Sequence, residues 1–427
     1  MPEEPGTIGR PDAGGASDGA APSRRAWLTR NLGVVSGVSF LQDTASELLY
    51  PVLPTFVTVT LGAPAAVLGA IEGLADGISA LVSPLAGRAA DRIGRKPLIA
   101  GGYGLAALGK LLVALARAWP TVLVARCVDR FGKGMRDSPR DALVADGVAG
   151  PLRGKAFGFQ RAADSFGAVV GPLIGLAAYE ALDHRIRPLL WIAVVPAVLS
   201  VALVGLVRDP RRAAAKAKAE DRGDRQAGAE AGAVRPRLPA PFRRTVGLLT
   251  AFGIVNFPDA LLLLRLGDIG FTLAMTILAY ATYNIVYSLF SYPAGALSDR
   301  LPRARVYAVG LAFFALGYLG LGLTHSHVLA WVILCAYGMF AACTDGVGKA
   351  WASSLAGPGL QGRAQGLYQG LTGGAVVLAG VWAGLAWHGT GVVPVLVSGG
   401  LAALFALWLW FAPPDRDRER PAFTAQR

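Results

Sequence analysis

Charge is the first thing this chain lacks. Asp, Glu, Lys and Arg make up only 16% of its 427 residues, where a soluble domain carries about 25%. With 53% hydrophobic residues and a mean hydropathy of +0.47, it cannot dress a water-facing surface, so most of it must face lipid. Cysteine is scarce too. Cys127, Cys335 and Cys343 sit in apolar or helical segments without the spacing of a metal site or a disulfide framework. His184, His325, His327 and His388 fall at the ends of apolar runs and read as loop residues rather than metal ligands. No G-x-x-x-x-G-K-[ST] loop is present, which argues against direct ATP drive. No nucleophile–base constellation suggests an enzyme, and nothing suggests a cofactor. The net charge of +13 has no aromatic platform or nucleic-acid module beside it, so it excludes rather than implies a nucleic-acid partner.

What is present is a series of long apolar runs. About 20 residues span a bilayer core, and such runs lie near 29–58, 64–88, 97–117, 155–182 and 188–207, then 245–265, 271–297, 304–323, 328–352, 363–387 and 391–412. Residues 119–146 start as a span and then become too charged for a hydropathy scan. An internal repeat decides their status. Asp91-Arg92 recurs as Asp299-Arg300, Gly154, Ala156 and Gly158 recur as Gly362, Ala364 and Gly366, and Asp137 and Ala142 recur as Asp345 and Ala350. Each pair is 208 residues apart. The counterpart of 119–146 is the plainly apolar 328–352, so 119–146 is the fourth span. The expectation is an all-α membrane protein of twelve transmembrane helices in two pseudo-symmetric six-helix bundles.

The domain organisation follows: a disordered tail over 1–28, an N-terminal bundle over 29–207, a basic linker over 208–243, a C-terminal bundle over 244–412 and a tail over 413–427. The Gly-, Pro-, Asp- and Ser-rich first 25 residues or so are no signal peptide, because no short apolar run with a small-residue cleavage site follows. Eleven Lys and Arg lie in 208–244, and Arg88, Arg92, Arg95, Lys96, Arg153, Lys155, Arg300, Arg303 and Arg305 fall on the same side. The opposite loops hold Arg117, Arg185, Arg187 and Arg265 at most. The positive-inside rule places both termini in the cytoplasm.

Gly87-Arg-Ala-Ala-Asp91-Arg92-Ile-Gly94-Arg95-Lys96, between the second and third spans, resembles the signature loop of the major facilitator superfamily, G-x-x-x-D-R-x-G-R-K. A degenerate copy (Gly295, Asp299, Arg300, Arg303) stands where that family has one. The resemblance covers nearly the whole chain between the tails. It implies a secondary transporter working by alternating access, with the loop latching the two halves. In the fifth span Gly158, Gly167, Gly171, Pro172 and Gly175 resemble the family's antiporter motif, found mainly in proton-coupled exporters, although Leu176 replaces its final glycine. Small residues let helices approach closely, and proline removes a backbone donor.

The fourth span has the densest chemistry. At 100° per residue, Arg126, Asp129, Arg130, Lys133, Arg136, Asp137, Arg140 and Asp141 fall within an arc of about 140°. Charge on one face of a membrane helix points to a watery cavity or to partners inside the bundle. Arg126 matches the family's embedded arginine. Candidate partners are Asp43 and Glu47 in the first span, Glu72 and Asp76 in the second, and Gln160, Arg161 and Asp164 in the fifth. The second half contributes Asn256, Asp259, Arg265, Asp345 and Lys349. A carboxylate moved between a desolvated site and a nearby arginine can load and release a proton, and Asp43 and Glu47 are the first candidates. A structural ion-pair ladder is the alternative for the whole set. The reading is proton-coupled export of a small organic solute or drug by a monomer in the cell membrane; the alternative is proton-coupled uptake of a small organic anion, motivated by the basic strip on the fourth span.

Overall fold

Thr29 starts the first helix: its Oγ1 accepts a hydrogen bond from the Leu32 amide, 3.2 Å away, one of the otherwise unpaired donors of a helix start. In the computed structural model, which describes residues 28–146, 153–208, 238–356 and 361–414, this helix α1 covers Arg30–Leu49. The tails and most of the 208–243 linker lie outside the described residues, as do the surroundings of Gly158 and the side chains of Arg88, Asp91, Arg92 and Asp299. The rest of the first half is α2 (Ala65–Ile93), α3 (Arg95–Leu115), α4 (Trp119–Asp146), α5 (Arg153–Ala181) and α6 (Ile186–Val204). The second half is α7 (Ala240–Gly253), α8 (Asp259–Ile269), α9 (Leu273–Arg300), α10 (Arg303–Leu323), α11 (His327–Leu355), α12 (Gln361–Leu385) and α13 (Val392–Phe411).

Eight of these helices (α2, α3, α5, α6, α9, α10, α11 and α13) contain stretches long and apolar enough to cross a membrane unaided. The others have visible reasons to fall short. Helix α1 carries Asp43 and Glu47, α4 its charge stripe, and α12 many glycines. The run over 245–265 is interrupted: backbone helix stops at Gly253 and resumes at Asp259. Pro258 has no amide hydrogen to donate and holds an extended ψ of 137° as the cap of α8. The first run bends similarly. Past Pro51 it continues as a three-residue helix, Leu53–Thr55, and a π-helical turn, Phe56–Thr60.

The packing repeats as the sequence does. In the first half α2 and α3 both pack on α4, and in the second α9 and α10 both pack on α11. The halves meet along α2 with α12 and along α5 with α9, two contacts that the repeat exchanges. The α2–α12 contact is nearly backbone to backbone. Gly69, Gly73 and Gly77 form a stripe one turn apart against Gly380, Val377 and Gly373, and a Cβ on Gly73 would come 2.9 Å from the Val377 Cα. Additional contacts run from α8 to α2 and to Leu53–Thr55. They lie at the end of the molecule that carries Gly62, opposite the end that carries Gly94.

Candidate functional site

The charge stripe on α4 divides between two environments. Arg126 is 5% exposed and grips Glu72, itself 0% exposed, in a bidentate pair: Nη2 to Oε2 is 2.6 Å and Nε to Oε1 is 2.8 Å. Its Nη1 also reaches Asp129, 3.4 Å away, and Lys110 Nζ on α3 lies 3.2 Å from the other Asp129 oxygen. Four charges thus neutralise one another inside the first half, as burial requires. Arg136 lies over the Tyr103 ring, 4.5 Å from its centroid, with Asp137 only at 3.9 Å. Arg140 donates to Ser39 on α1 at 3.0 Å and pairs with Asp141. Arg130 pairs with Asp76 at 3.4 Å.

Lys133 and Asp137 face elsewhere. With Asp76, Asp345 and Lys349 they line a cavity of about 420 Å³ between the halves. Asn256 from the break before α8 also lines it, with Phe252, Phe340, Tyr307 and Tyr368 as aromatic wall. Exposed side chains continue from it to Lys349 and Asp141, so it opens towards the Gly94 end.

At the Gly62 end, α9 closes it. Tyr280, Tyr283 and Tyr287 stand three and four residues apart, on one helical face. Tyr280 donates to Glu47 of α1 at 2.6 Å. Tyr283, together with Tyr337 of α11, donates to Asp259 at 3.3 and 2.8 Å. Tyr287 donates to Asp345 at 3.0 Å and is itself contacted by Arg161 of α5. The Tyr50, Tyr280, Tyr283 and Tyr337 rings follow one another at centroid spacings of 5.4–5.7 Å. Two of these links, Tyr280–Glu47 and Arg161–Tyr287, tie the first half to the second.

The predicted glycine seam of α5 lies against α1. A Cβ on Gly167 would come 2.7 Å from the Phe40 carbonyl and one on Gly171 2.6 Å from that of Thr44; Gly175 faces Leu48. The seam therefore backs the segment of α1 that carries Asp43 and Glu47. Asp43 sits against Gly167, and one Asp164 oxygen is buried without a described partner, as is Gln160 Oε1. The expected signature loop is largely helical. Gly87 to Ile93 form the last turns of α2, Gly94 breaks the helix at φ 95°, and α3 begins at Arg95. Gly87 leaves room for Ser138 of α4. Arg95 donates to the Ala142 carbonyl at 2.8 Å and Lys96 to that of Gly205 at 2.9 Å.

Arg265 needs correction. It belongs to no outer loop and does not line the cavity between the halves. It is 2% exposed within α8 and donates to the Leu321, Gly322 and Thr390 carbonyls. A guanidinium, with five donors, can cap the open carbonyls of a helix end. Lys110 and the three α9 tyrosines were not among the predicted residues. Lys110 stood alone in an apolar run, and the tyrosine stripe announces itself only through its spacing.

The sequence profile of the Major Facilitator Superfamily matches residues 35–264 and 245–427. An uncharacterised MFS-type transporter of Methanocaldococcus jannaschii is 28% identical over 391 residues, covering 90% of this chain and 95% of its own. The multidrug resistance protein MdtH of Proteus mirabilis is 27% identical over 328 residues, 73% of this chain and 77% of its own. The crystal structure of the nucleoside transporter NupG superposes with a TM-score of 0.71 over 90% of this chain and 98% of that one, at 14% identity, a likeness of fold alone.

Proposed function

Since the chain belongs to the Major Facilitator Superfamily and is a multi-pass membrane transporter rather than an enzyme, we propose that it exports a small organic solute in exchange for protons. The observation that carries this is the cavity itself: acidic and basic groups from both halves surround it, the cross-half hydrogen bonds Tyr280–Glu47 and Arg161–Tyr287 close it at one end, and it opens at the other. Such a chamber exposes its contents to one side at a time, and rocking of the repeats about it would present them to the other. All twelve helical rods cross the bilayer in this reading, with α7 and α8 forming one broken span. Both termini and the basic linker lie in the cytoplasm, so the cavity faces inward as described. Asp43 and Glu47 carry the protons, and the protein works as a monomer in the cell membrane.

The exchange direction is supported by the glycine seam of α5 against α1, which lets the carboxylate-bearing helix slide without side-chain interlocking. The relative MdtH, named for multidrug resistance, is consistent with export. Uptake of a small organic anion together with protons is the second reading, favoured by Lys133 and Lys349 in the cavity. Vesicles of defined orientation separate the two. An exporter drives solute out against its gradient only while protons enter; a symporter moves both inward together. Flux indifferent to the proton gradient would reject both forms of coupling.

A further inference from the structure

We propose that the central cavity is built for a zwitterionic solute, with Lys133 holding its anionic group and Asp137 and Asp345 receiving its cationic group between them. This rests on the transporter reading and names its substrate class. Lys133 stands midway along α4, exposed to the cavity, and among the described residues its ammonium has no hydrogen bond or ion pair. An ammonium at that depth is costly unless it faces water and a counter-ion. Asp137 lies one turn further along the same helix. Its described ion pair, with Arg136, is long at 3.9 Å; Arg140 and Lys133 on its own helix and Lys349 across the cavity also lie within its electrostatic reach. Asp345 is its counterpart 208 residues on, so the repeat brings one carboxylate from each half to a common level. Lys133 is roughly 6 Å away along the axis, four residues at 1.5 Å each.

The alternatives fit less well. A simple anion would meet the carboxylates of Asp76, Asp137 and Asp345, and a simple cation would meet Lys133 and Lys349. A lipophilic drug could use the Phe252, Phe340, Tyr307 and Tyr368 rings but would leave Ser79, Asn256 and Thr344 and the charged groups unanswered. Nor is the Lys133–Asp137 spacing explained as a helix-stabilising pair. Base before acid is the weaker order at that spacing, and the two form no described ion pair.

Thermal melting of the full-length protein in detergent tests this with three matched libraries: free α-amino acids with their dipeptides, the same compounds N-acetylated, and the same compounds as C-terminal amides. Only the free compounds should raise the melting temperature. For the best of them, Lys133→Gln should weaken binding about tenfold and accept the amide as well as the free compound. The double variant Asp137→Asn, Asp345→Asn should instead accept the N-acetyl form. Gln at 133 loses no packing, so that variant should melt like the wild type when empty. Equal binding of blocked compounds, silence from the free set, or unchanged discrimination in the variants would overturn the assignment. Vesicle flux distinguishes the two levels of the argument. Gradient-driven movement of ethidium but of no zwitterion would reject the substrate class and leave the transporter; gradient-driven movement of no solute at all would reject the transporter.

Discussion

Arg126 holds Glu72 by two hydrogen bonds and touches Asp129, which Lys110 completes. Removing one member leaves a buried charge uncompensated, at a cost of about 3–5 kcal/mol. Arg126→Met should therefore lower the melting temperature sharply, and adding Glu72→Gln should recover much of the loss. A melting curve unchanged by Arg126→Met would show that this knot does not hold the first half together. Glu47 poses a different question, because its described side-chain partner is the Tyr280 hydroxyl. An amide oxygen can accept that same bond but carries no exchangeable acid proton. Glu47→Gln should thus keep the closed geometry and lose pH-driven flux, as should Asp43→Asn. If both variants respond to pH as the wild type does, neither residue carries the proton. The sequence pointed to the α4 residues through their angular spacing, yet it did not say which neighbour each would meet. Periodicity gives a direction on the helix, whereas the identity of the facing partner is a property of packing. Lys110 was overlooked for that reason: only the fold brings it to Asp129.

The glycine seam of α5 was legible as a pattern, and the structure supplies its partner, the backbone of α1 from Phe40 to Leu48. A side chain at Gly171 must push α1 away, since its Cβ already meets the Thr44 carbonyl and the Leu48 amide. Overpacking of this kind costs roughly 1–3 kcal/mol. Gly171→Leu should reduce both thermal stability and transport rate, whereas Gly33→Ala, at a glycine with open space around it, should leave both unchanged. Equal behaviour of the two variants in melting and flux assays would remove the seam argument. The interruption between α7 and α8 was hidden, because Ile254, Val255 and Phe257 keep the run apolar through it. Asn256 and Pro258 mark the break, but a hydropathy window averages them away. Helix α4 was recovered only through its counterpart in the repeat. The α9 tyrosines escaped notice because rings count as apolar and their hydroxyls leave no trace in such an average.

For the molecule as a whole, the proposed alternating access makes this arrangement one of two that the halves must adopt. Its closed end depends on links between halves, among them the 2.6 Å hydrogen bond from Tyr280 to Glu47. Tyr280→Phe keeps the ring stack and deletes the link, so the population should move towards opening at the Gly62 end. Ser83 lines the cavity on the Gly94 side. In a background without the three native cysteines, Ser83→Cys should react with an impermeant thiol reagent from that side, and Tyr280→Phe should slow the reaction several-fold. An unchanged rate would mean that the link does not set the balance between the two states.

The charges around the cavity carry an electrical consequence. Asp76, Asp137 and Asp345 are matched in number by Lys133, Lys349 and the Arg130 that pairs with Asp76. An unbalanced charge moved through a membrane potential changes in energy by about 2.3 kcal/mol per 100 mV. With its wall formally neutral, the cavity lining itself would add no charge that the voltage could act on when the carrier turns. Current in a patch or a vesicle would then count only the solute and the protons on Asp43 and Glu47, so that a zwitterion exchanged for one proton would report as a single charge.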